Sequence, residues 1–214
     1  PIEFLFRNKK SIVNQREIGN DASDLTVALK NALRQAPDCI LIGEIRDKET
    51  MSAALAYAQS GHLVVATLHA NNSYQALTRV INFYPIENRQ SLLADLSSSL
   101  RAIVSQRLVS AIDGKRRAAV EVMLNTRHIA ELIEQGEIAL IKEAIEKSLS
   151  PGSQTFEQAL MQLIKDGVVT QDEALAHADS ASNLFWLLNN SAQAVEEEAP
   201  EQEEASFTEF TLKM

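Results

Sequence analysis

Two short apolar runs, each followed at once by a polar residue, constrain the fold of this chain more than any other feature of its sequence. The first run, CILIG, leads into Glu44, and the second, LVVATL at 63–68, leads into His69. A continuous apolar run of this length is typical of a strand that is covered on both faces in a parallel sheet. A helical pattern at about 49–60 separates the two runs. The sequence therefore predicts an α/β fold built on a doubly wound sheet.

The pattern along the chain predicts three parts. Residues 1–126 form the α/β core, with two short strands before residue 18, a helix at about 87–106 and a hairpin that turns at Asp113-Gly114. Residues 127–190 contain helical patterns alone, the first a long one over 127–148, and predict a small helical subdomain. Residues 191–214, which include AVEEEAPEQEEAS, have too few apolar residues to fold and predict an acidic, disordered tail.

Charge and cysteine content argue against several classes of protein. The net charge is −9, but residues 166–214 hold one lysine and 11 acidic residues, so the rest of the chain is nearly neutral. A neutral body gives no electrostatic support for nucleic-acid binding. The single cysteine excludes a disulfide framework and a four-cysteine metal module, and a reducing cytoplasm is the natural location. No apolar run approaches the ~20 residues needed to span a bilayer.

Glu44 and His69 are the first candidates for chemistry, because ligands of doubly wound sheets bind outside the carboxyl ends of the strands. A carboxylate at that edge could hold the water shell of a magnesium ion, or it could simply be a solvated strand end. A histidine there could donate to a phosphate oxygen, or it could be an exposed structural residue. Glu3 could activate a water molecule if a phosphate bound nearby. The chain contains no GxxxxGK[ST] phosphate-binding loop.

Four blocks of sequence, in this order, resemble the secretion ATPase superfamily and most closely its PilT/PilU family of type IV pilus retraction ATPases. The blocks are PIEF at 1–4, NQREI at 14–18, ALKNALRQAPDCILIGEIRD at 28–47 and SGHLVVATLHANN at 60–72. The resemblance covers about residues 1–180 and implies a RecA-like sheet of the P-loop NTPase type. It also implies that the P-loop and the first half of an acidic "Asp box" precede these residues, so that this fragment alone does not hydrolyse ATP.

The resemblance also implies roles for individual side chains. Glu3 matches the glutamate that activates water, and Glu44 lies on the magnesium side of the Walker B strand, where it would hold Mg²⁺ through water. His62 and His69 match the two histidines of the "His box", which relays the state of the nucleotide to the subunit interface.

The resemblance extends to two arginines and to a motif in the helical subdomain. Arg16 and Arg79 fall where the family has arginines near the nucleotide or a neighbouring subunit, although an ordinary surface ion pair is the alternative for each. Residues 128–133 read HIAELI, where retraction ATPases of the PilT type carry AIRNLI. Arginine has become Ala130 and asparagine has become Glu131, which reverses the local charge. This departure, together with the acidic tail, favours the PilU branch.

The function implied by the resemblance is that of a hexameric ATPase motor that uses ATP and Mg²⁺ to power pilus retraction and twitching motility. Its implied partners are identical subunits, a paralogous retraction ATPase and an inner-membrane platform protein. Its implied location is cytoplasmic, at the inner-membrane pilus machine. The alternative is a non-hydrolysing accessory subunit that acts as a scaffold for an active retraction ATPase. The acidic tail could dock on a basic partner or could simply be solvated.

Overall fold

A computed structural model describes residues 2–197, and the side chains of residues 2–190. Strands and helices alternate through the first half of this range, and helices dominate the second half. No helix in the described range is long and apolar enough to cross a membrane. The strands are β1 (Cys39–Ile42), β2 (Leu63–Ala66), β3 (Ala102–Ser110) and β4 (Arg116–Leu124), and the helices are α1 (Leu25–Leu33), α2 (Lys48–Gln59), α3 (Ser73–Asn82), α4 (Arg89–Ser99), α5 (Arg127–Gln135), α6 (Ile141–Glu146), α7 (Phe156–Lys165), α8 (Gln171–His177) and α9 (Ala181–Glu197).

The chain divides into two compact units. The first unit contains residues up to 107 together with 120–155, and the second contains 108–119 together with residues from 156 onwards. The sequence predicts a boundary at residue 126 instead, so the observed division differs from the prediction. The reason is packing, because the buried side chains of α5 and α6 join the same core as β1 and β2.

In the first unit, β1 and β2 pair in parallel and are connected by α2. Helix α2 begins where the Asp47 side chain accepts a hydrogen bond from the Thr50 backbone N–H at 2.8 Å. The parallel pair and its helix confirm the predicted α/β class. The prediction that both sheet faces are covered is wrong for the described residues, because Leu41 and Leu63 are 61% and 59% exposed.

The amino-terminal segment contains no regular strand among the described residues, so the prediction of two strands before residue 18 is wrong. The backbone there is held by a side chain instead of by a strand ladder. Gln15 accepts a hydrogen bond from the Phe6 backbone N–H and donates one to the Phe4 carbonyl, both at 2.8 Å. These two bonds join the segment at one point, which is fewer contacts than a paired strand requires.

Two predicted long helices are shorter in the structure, each for a local reason. Helix α4 ends at Ser99, and the Asn125 side-chain amide donates to the carbonyls of Ser97 and Leu100, both at 2.9 Å. Helix α5 ends at Gly136, which has φ of 77° and donates its N–H to the Ile133 carbonyl at 3.0 Å. Glycine favours this left-handed conformation, which ends a helix.

The second unit contains the tip of the β3–β4 hairpin and helices α7–α9. Asp113-Gly114 lies in the hairpin turn, as predicted, and a hydrogen bond from the Ala111 N–H to the Lys115 carbonyl closes the turn at 2.8 Å. Phe156, Leu160 and Leu184 are fully buried in the core of this unit. Helix α9 continues to Glu197, seven residues into the segment predicted as a tail, because that stretch is rich in helix-forming residues. The remainder of the predicted tail, 198–214, lies outside the described residues.

Candidate functional site

Hydrogen bonds continue to join the chain segments that follow the carboxyl ends of β1 and β2. Ile42 is opposite Ala66 in the parallel register, and the Thr67 N–H donates to the Ile42 carbonyl at 3.3 Å. The Ile45 N–H then donates to the Thr67 carbonyl at 2.9 Å, and the Thr67 hydroxyl donates to the Gly43 carbonyl. Side chains that follow the two strands are therefore held at the same edge of the sheet.

Glu44 and His69 meet at that edge. The Glu44 Oε1 atom lies 3.3 Å from the His69 Nε2 atom. The Glu44 side chain is 18% exposed, whereas the His69 side chain is 81% exposed, so the imidazole faces solvent while the carboxylate is partly sheltered. The two residues that the sequence predicts at the same edge of the sheet are therefore in contact.

Arg46 binds the second oxygen of the same carboxylate. Its Nε and Nη2 atoms lie 2.6 and 2.5 Å from Glu44 Oε2. This hydrogen bond holds the pKa of the Glu44 carboxyl below its ordinary value, against the opposing effect of partial burial. The charge of Arg46 and the proximity of His69 and Arg79 lower that pKa further. Glu44 is therefore an ionised acceptor at neutral pH.

The loop that carries His69 is tied to three neighbouring elements. Arg79, on α3, donates from Nη1 to the His69 carbonyl at 2.8 Å, and Arg107, on β3, donates from Nη2 to the Asn71 carbonyl at 3.2 Å. Glu121, on β4, accepts a hydrogen bond from the Ser73 N–H at 2.7 Å. Of the two arginines that the resemblance singled out, Arg79 is therefore in contact with the site, through the backbone of His69.

The other predicted site residues lie elsewhere in the described structure. His62 precedes β2, with its Nδ1 atom 2.9 Å from the Ser60 hydroxyl and its ring edge-on to Tyr57 at a centroid distance of 6.4 Å. Glu3 lies exposed in the amino-terminal segment.

Arg16 lies against α1, away from the carboxyl edge of the sheet. Its Nη1 atom donates to the Ala28 carbonyl at 3.4 Å. It lines an open groove together with Arg34 and Asn31. The structure therefore does not bring Arg16 to Glu44 or His69.

The residue types at the sheet edge fit an indirect role toward a magnesium ion. No group of three or more His, Cys, Asp or Glu side chains in the described range is arranged to hold a metal directly. Mg²⁺ retains several of its waters in most protein sites, and those waters need anionic acceptors. The ionised Glu44 carboxylate, sheltered and oriented by Arg46, is such an acceptor.

Three of the contacting residues escaped prediction from the sequence, namely Arg46, Arg107 and Glu121. Arg46 lies within LIGEIRD, but nothing in that spacing distinguishes it from an ordinary charged residue after a strand. The sequence pattern could have identified Glu121, because this carboxylate stands at an inward position of β4, between the buried residues Ala119 and Met123. A charge at a buried strand position needs a partner, and that requirement identifies it as a residue with a specific contact.

Comparison with known proteins gives a consistent set of similarities. The sequence model of the Type II/IV secretion system protein family matches residues 1–176. The type IV pilus ATPase PilU of Pseudomonas aeruginosa is 52% identical over 189 residues, which cover 88% of this chain and 50% of that protein. The type IV pilus retraction ATPase PilT of the same organism is 39% identical over 184 residues, which cover 86% of this chain and 54% of that protein.

A solved structure agrees with the sequence comparisons. The crystal structure of the pilus retraction motor PilT with bound ADP matches with a TM-score of 0.78 and 36% identity, over 87% of this chain and 52% of that one. The match confirms the RecA-like α/β fold class, and the similarities as a whole confirm the predicted family resemblance. This chain spans about half the length of the relatives that it matches.

Proposed function

This chain belongs to the Type II/IV secretion system protein family, and on that basis we propose that it is part of an ATPase motor that powers the retraction of type IV pili. The observation that carries the proposal is the contact between Glu44 and His69 at the carboxyl ends of two parallel strands. The similarity of this chain to PilU and PilT, which are named as type IV pilus ATPases, supports ATP as the nucleotide.

In this proposal, each residue at the sheet edge has a distinct task. Glu44 accepts hydrogen bonds from the waters of a nucleotide-bound Mg²⁺, and Arg46 keeps the Glu44 carboxylate ionised and oriented. His69, which is exposed beside Glu44, donates to the γ-phosphate and so responds to its presence. Glu3 activates the attacking water, and His62 relays the nucleotide state, as the family resemblance implies for both. These 214 residues contain no GxxxxGK[ST], so the proposal requires a phosphate-binding loop in addition to the residues described here.

The assembly that we propose is a hexameric ring of such subunits on the cytoplasmic side of the inner membrane. Its partners are a paralogous retraction ATPase and the membrane platform protein of the pilus, and Arg16 and Arg79 are the arginines nearest a nucleotide or a neighbouring subunit. Hinge motion driven by nucleotide binding and hydrolysis would move pilin out of the fibre and produce twitching motility. Similarity to retraction ATPases supports this arrangement.

The test is the substitution Glu44→Gln in the full-length protein, which removes the charge and keeps the size of the side chain. We expect the rate of ATP hydrolysis to fall about 10- to 100-fold, because hydrogen bonds to charged groups contribute about 1.5–3 kcal/mol. Glu49→Gln is the matched control, since Glu49 is an exposed carboxylate at the start of α2. Equal hydrolysis by the Glu44→Gln variant and the wild type would refute the proposed site.

The second candidate function is a non-hydrolysing accessory subunit that associates with an active retraction ATPase. The surface of α5 favours it, because Glu131 replaces the asparagine of the PilT-type motif and forms an ion pair with Arg127 at 3.0 Å. The same substitution separates the two candidates. If Glu44→Gln leaves pilus retraction in cells unchanged while the purified protein shows no hydrolysis of its own, the accessory role is the correct one.

A further inference from the structure

The loop between β2 and α3, residues 67–72, carries His69 and is fixed at both ends. At its start, the backbone and side chain of Thr67 are hydrogen-bonded to the segment that follows β1. At its end, Asn72 caps α3, where its side chain accepts a hydrogen bond from the Gln75 N–H at 3.0 Å. The position of His69 therefore depends on where α3 begins.

Glu121 binds the start of α3. Its carboxylate is 1% exposed and accepts a hydrogen bond from the N–H of Ser73, the first residue of α3, at 2.7 Å. A buried carboxylate is costly unless it is hydrogen-bonded, and the first N–H groups of a helix are a favourable partner because of their partial positive charge. The bond therefore fixes the start of α3 to β4 in one position.

The same helix also holds the loop at a second point. Arg79, on α3, donates to the carbonyl of His69 itself at 2.8 Å. A shift of α3 relative to β4 would move both the end of the loop and this contact. The imidazole of His69 would then leave its position 3.3 Å from Glu44.

We propose that Glu121 is a positioning residue that holds His69 against Glu44 through the start of α3. The inference rests on the proposed function, since it assigns Glu121 to the support of the residue that senses the γ-phosphate. It goes beyond that function because it gives a task to a buried residue that the proposed chemistry does not use, and it names β4 as the element that sets the geometry of the loop.

The hydrogen bond can be removed from either side in the full-length protein. Glu121→Met deletes the acceptor, whereas Glu121→Gln keeps an oxygen that can accept from Ser73. Ser73→Pro deletes the donor, and proline suits the first position of a helix, where the preceding Asn72 is already extended at φ −160° and ψ 175°. The Ser73 hydroxyl is buried without a hydrogen-bond partner, so the loss of this group costs little.

We expect Glu121→Met and Ser73→Pro each to lower kcat for ATP hydrolysis between about 2- and 30-fold, the range for residues that modulate a distant site. The KM for ATP should change less than twofold, because neither residue is among those that the proposed function places on the nucleotide. Glu121→Gln should restore at least part of the lost kcat.

A double-mutant cycle with His69→Ala separates positioning from general structure. If Glu121 acts through His69, Glu121→Met lowers kcat in the wild-type background and has no further effect in the His69→Ala background. Glu157→Met is the matched control, because Glu157 is also fully buried and accepts from the Ser180 N–H, beside the start of α9, at 2.8 Å. Its effect on kcat, whatever its size, should be the same in both backgrounds.

Each other outcome overturns the inference in a distinguishable way. If Glu121→Met and Ser73→Pro lower kcat by the same factor with and without His69, Glu121 is merely structural, while the proposed function stands. If His69→Ala itself leaves kcat unchanged, His69 has no sensing role, and both the inference and that part of the proposed function fail. If Glu121→Met does not fold, the cycle is completed with Ser73→Pro, which tests the same hydrogen bond.

Discussion

The assignment of α5 to the first unit can be tested by making a cavity in that helix. Ile133 lies on α5, is fully buried, and belongs to the same core as β1 and α2. Ile133→Ala removes three buried methyl or methylene groups, which costs about 2.4 kcal/mol of transfer free energy at ~0.8 kcal/mol per group. The cavity that remains adds to this cost, and the total expected loss in unfolding free energy is about 3–4 kcal/mol.

The assay is amide hydrogen exchange, followed element by element in the native protein. A loss of about 3 kcal/mol should speed exchange in α2, β1 and α5 by about two orders of magnitude, because these elements share one core. Amides of α7 and α8 should keep their wild-type rates, since their core, built around Phe156 and Leu160, is separate.

Leu160→Ala is the matched control for this experiment. Leu160 is also fully buried, but it lies on α7 in the core of the second unit. The Leu160→Ala substitution should speed amide exchange in α7 and α8 and leave the exchange rates of α2 and β1 unchanged. If Ile133→Ala instead loosens α7 and α8 and spares α2, then α5 belongs with the carboxy-terminal helices, as the sequence alone predicts, and the division described above is wrong.

Two further predictions concern the sheet edge and the helix that follows it. Arg46→Met removes the main cause of the low pKa of Glu44. If hydrolysis uses the ionised carboxylate, as we propose, the acid limb of the kcat–pH profile should move to higher pH. Arg127→Met, which breaks a surface ion pair on α5, should leave that limb in place. An unmoved limb in Arg46→Met would show that Glu44 does not set it. Asp47→Ala removes the cap of α2 and should cost about 1 kcal/mol and lower Tm by about 2–4 °C at neutral pH, with Asp47→Asn close to wild type. The hydrogen bond from Thr50 lowers the pKa of Asp47. The stabilisation by Asp47 is therefore present above its unfolded-state pKa and is lost as pH falls through its folded-state pKa. The difference in Tm between wild type and Asp47→Ala should shrink in acid, and a difference that is constant with pH would contradict this cause.

The core of the site could be predicted from the sequence because it depends on local patterns. Each apolar run is a strand, each strand has its polar residue at the carboxyl end, and parallel pairing brings those ends to one edge. These three facts place Glu44 and His69 at the same edge, and the 3.3 Å contact between them depends in addition on the loop that follows β2. The same is true of the hairpin turn at Asp113-Gly114, which a two-residue signal determines.

The features that sequence reasoning missed depend on contacts between distant residues. The hydrogen bond from Ser73 to Glu121 joins positions 48 apart, and the bonds that cap α4 come from Asn125, at least 25 residues away. A helical pattern cannot indicate that a distant side chain will end the helix. The extent of the first unit was missed for the same reason, since the apolar face of α5 has the same periodicity whether it packs on an α/β core or on other helices.

The positions of His62 and His69 bear on how the proposed motor would use both histidines. His62 and His69 flank the same strand at opposite ends, and the four residues of β2 at ~3.3 Å each separate the two by at least ~10 Å. His69 lies beside Glu44, whereas the His62 ring is bonded to Ser60 at the end of α2, so the two imidazoles have different surroundings. If His62 also responds to the nucleotide, its contacts favour a response through movement of β2 or α2, or through another subunit.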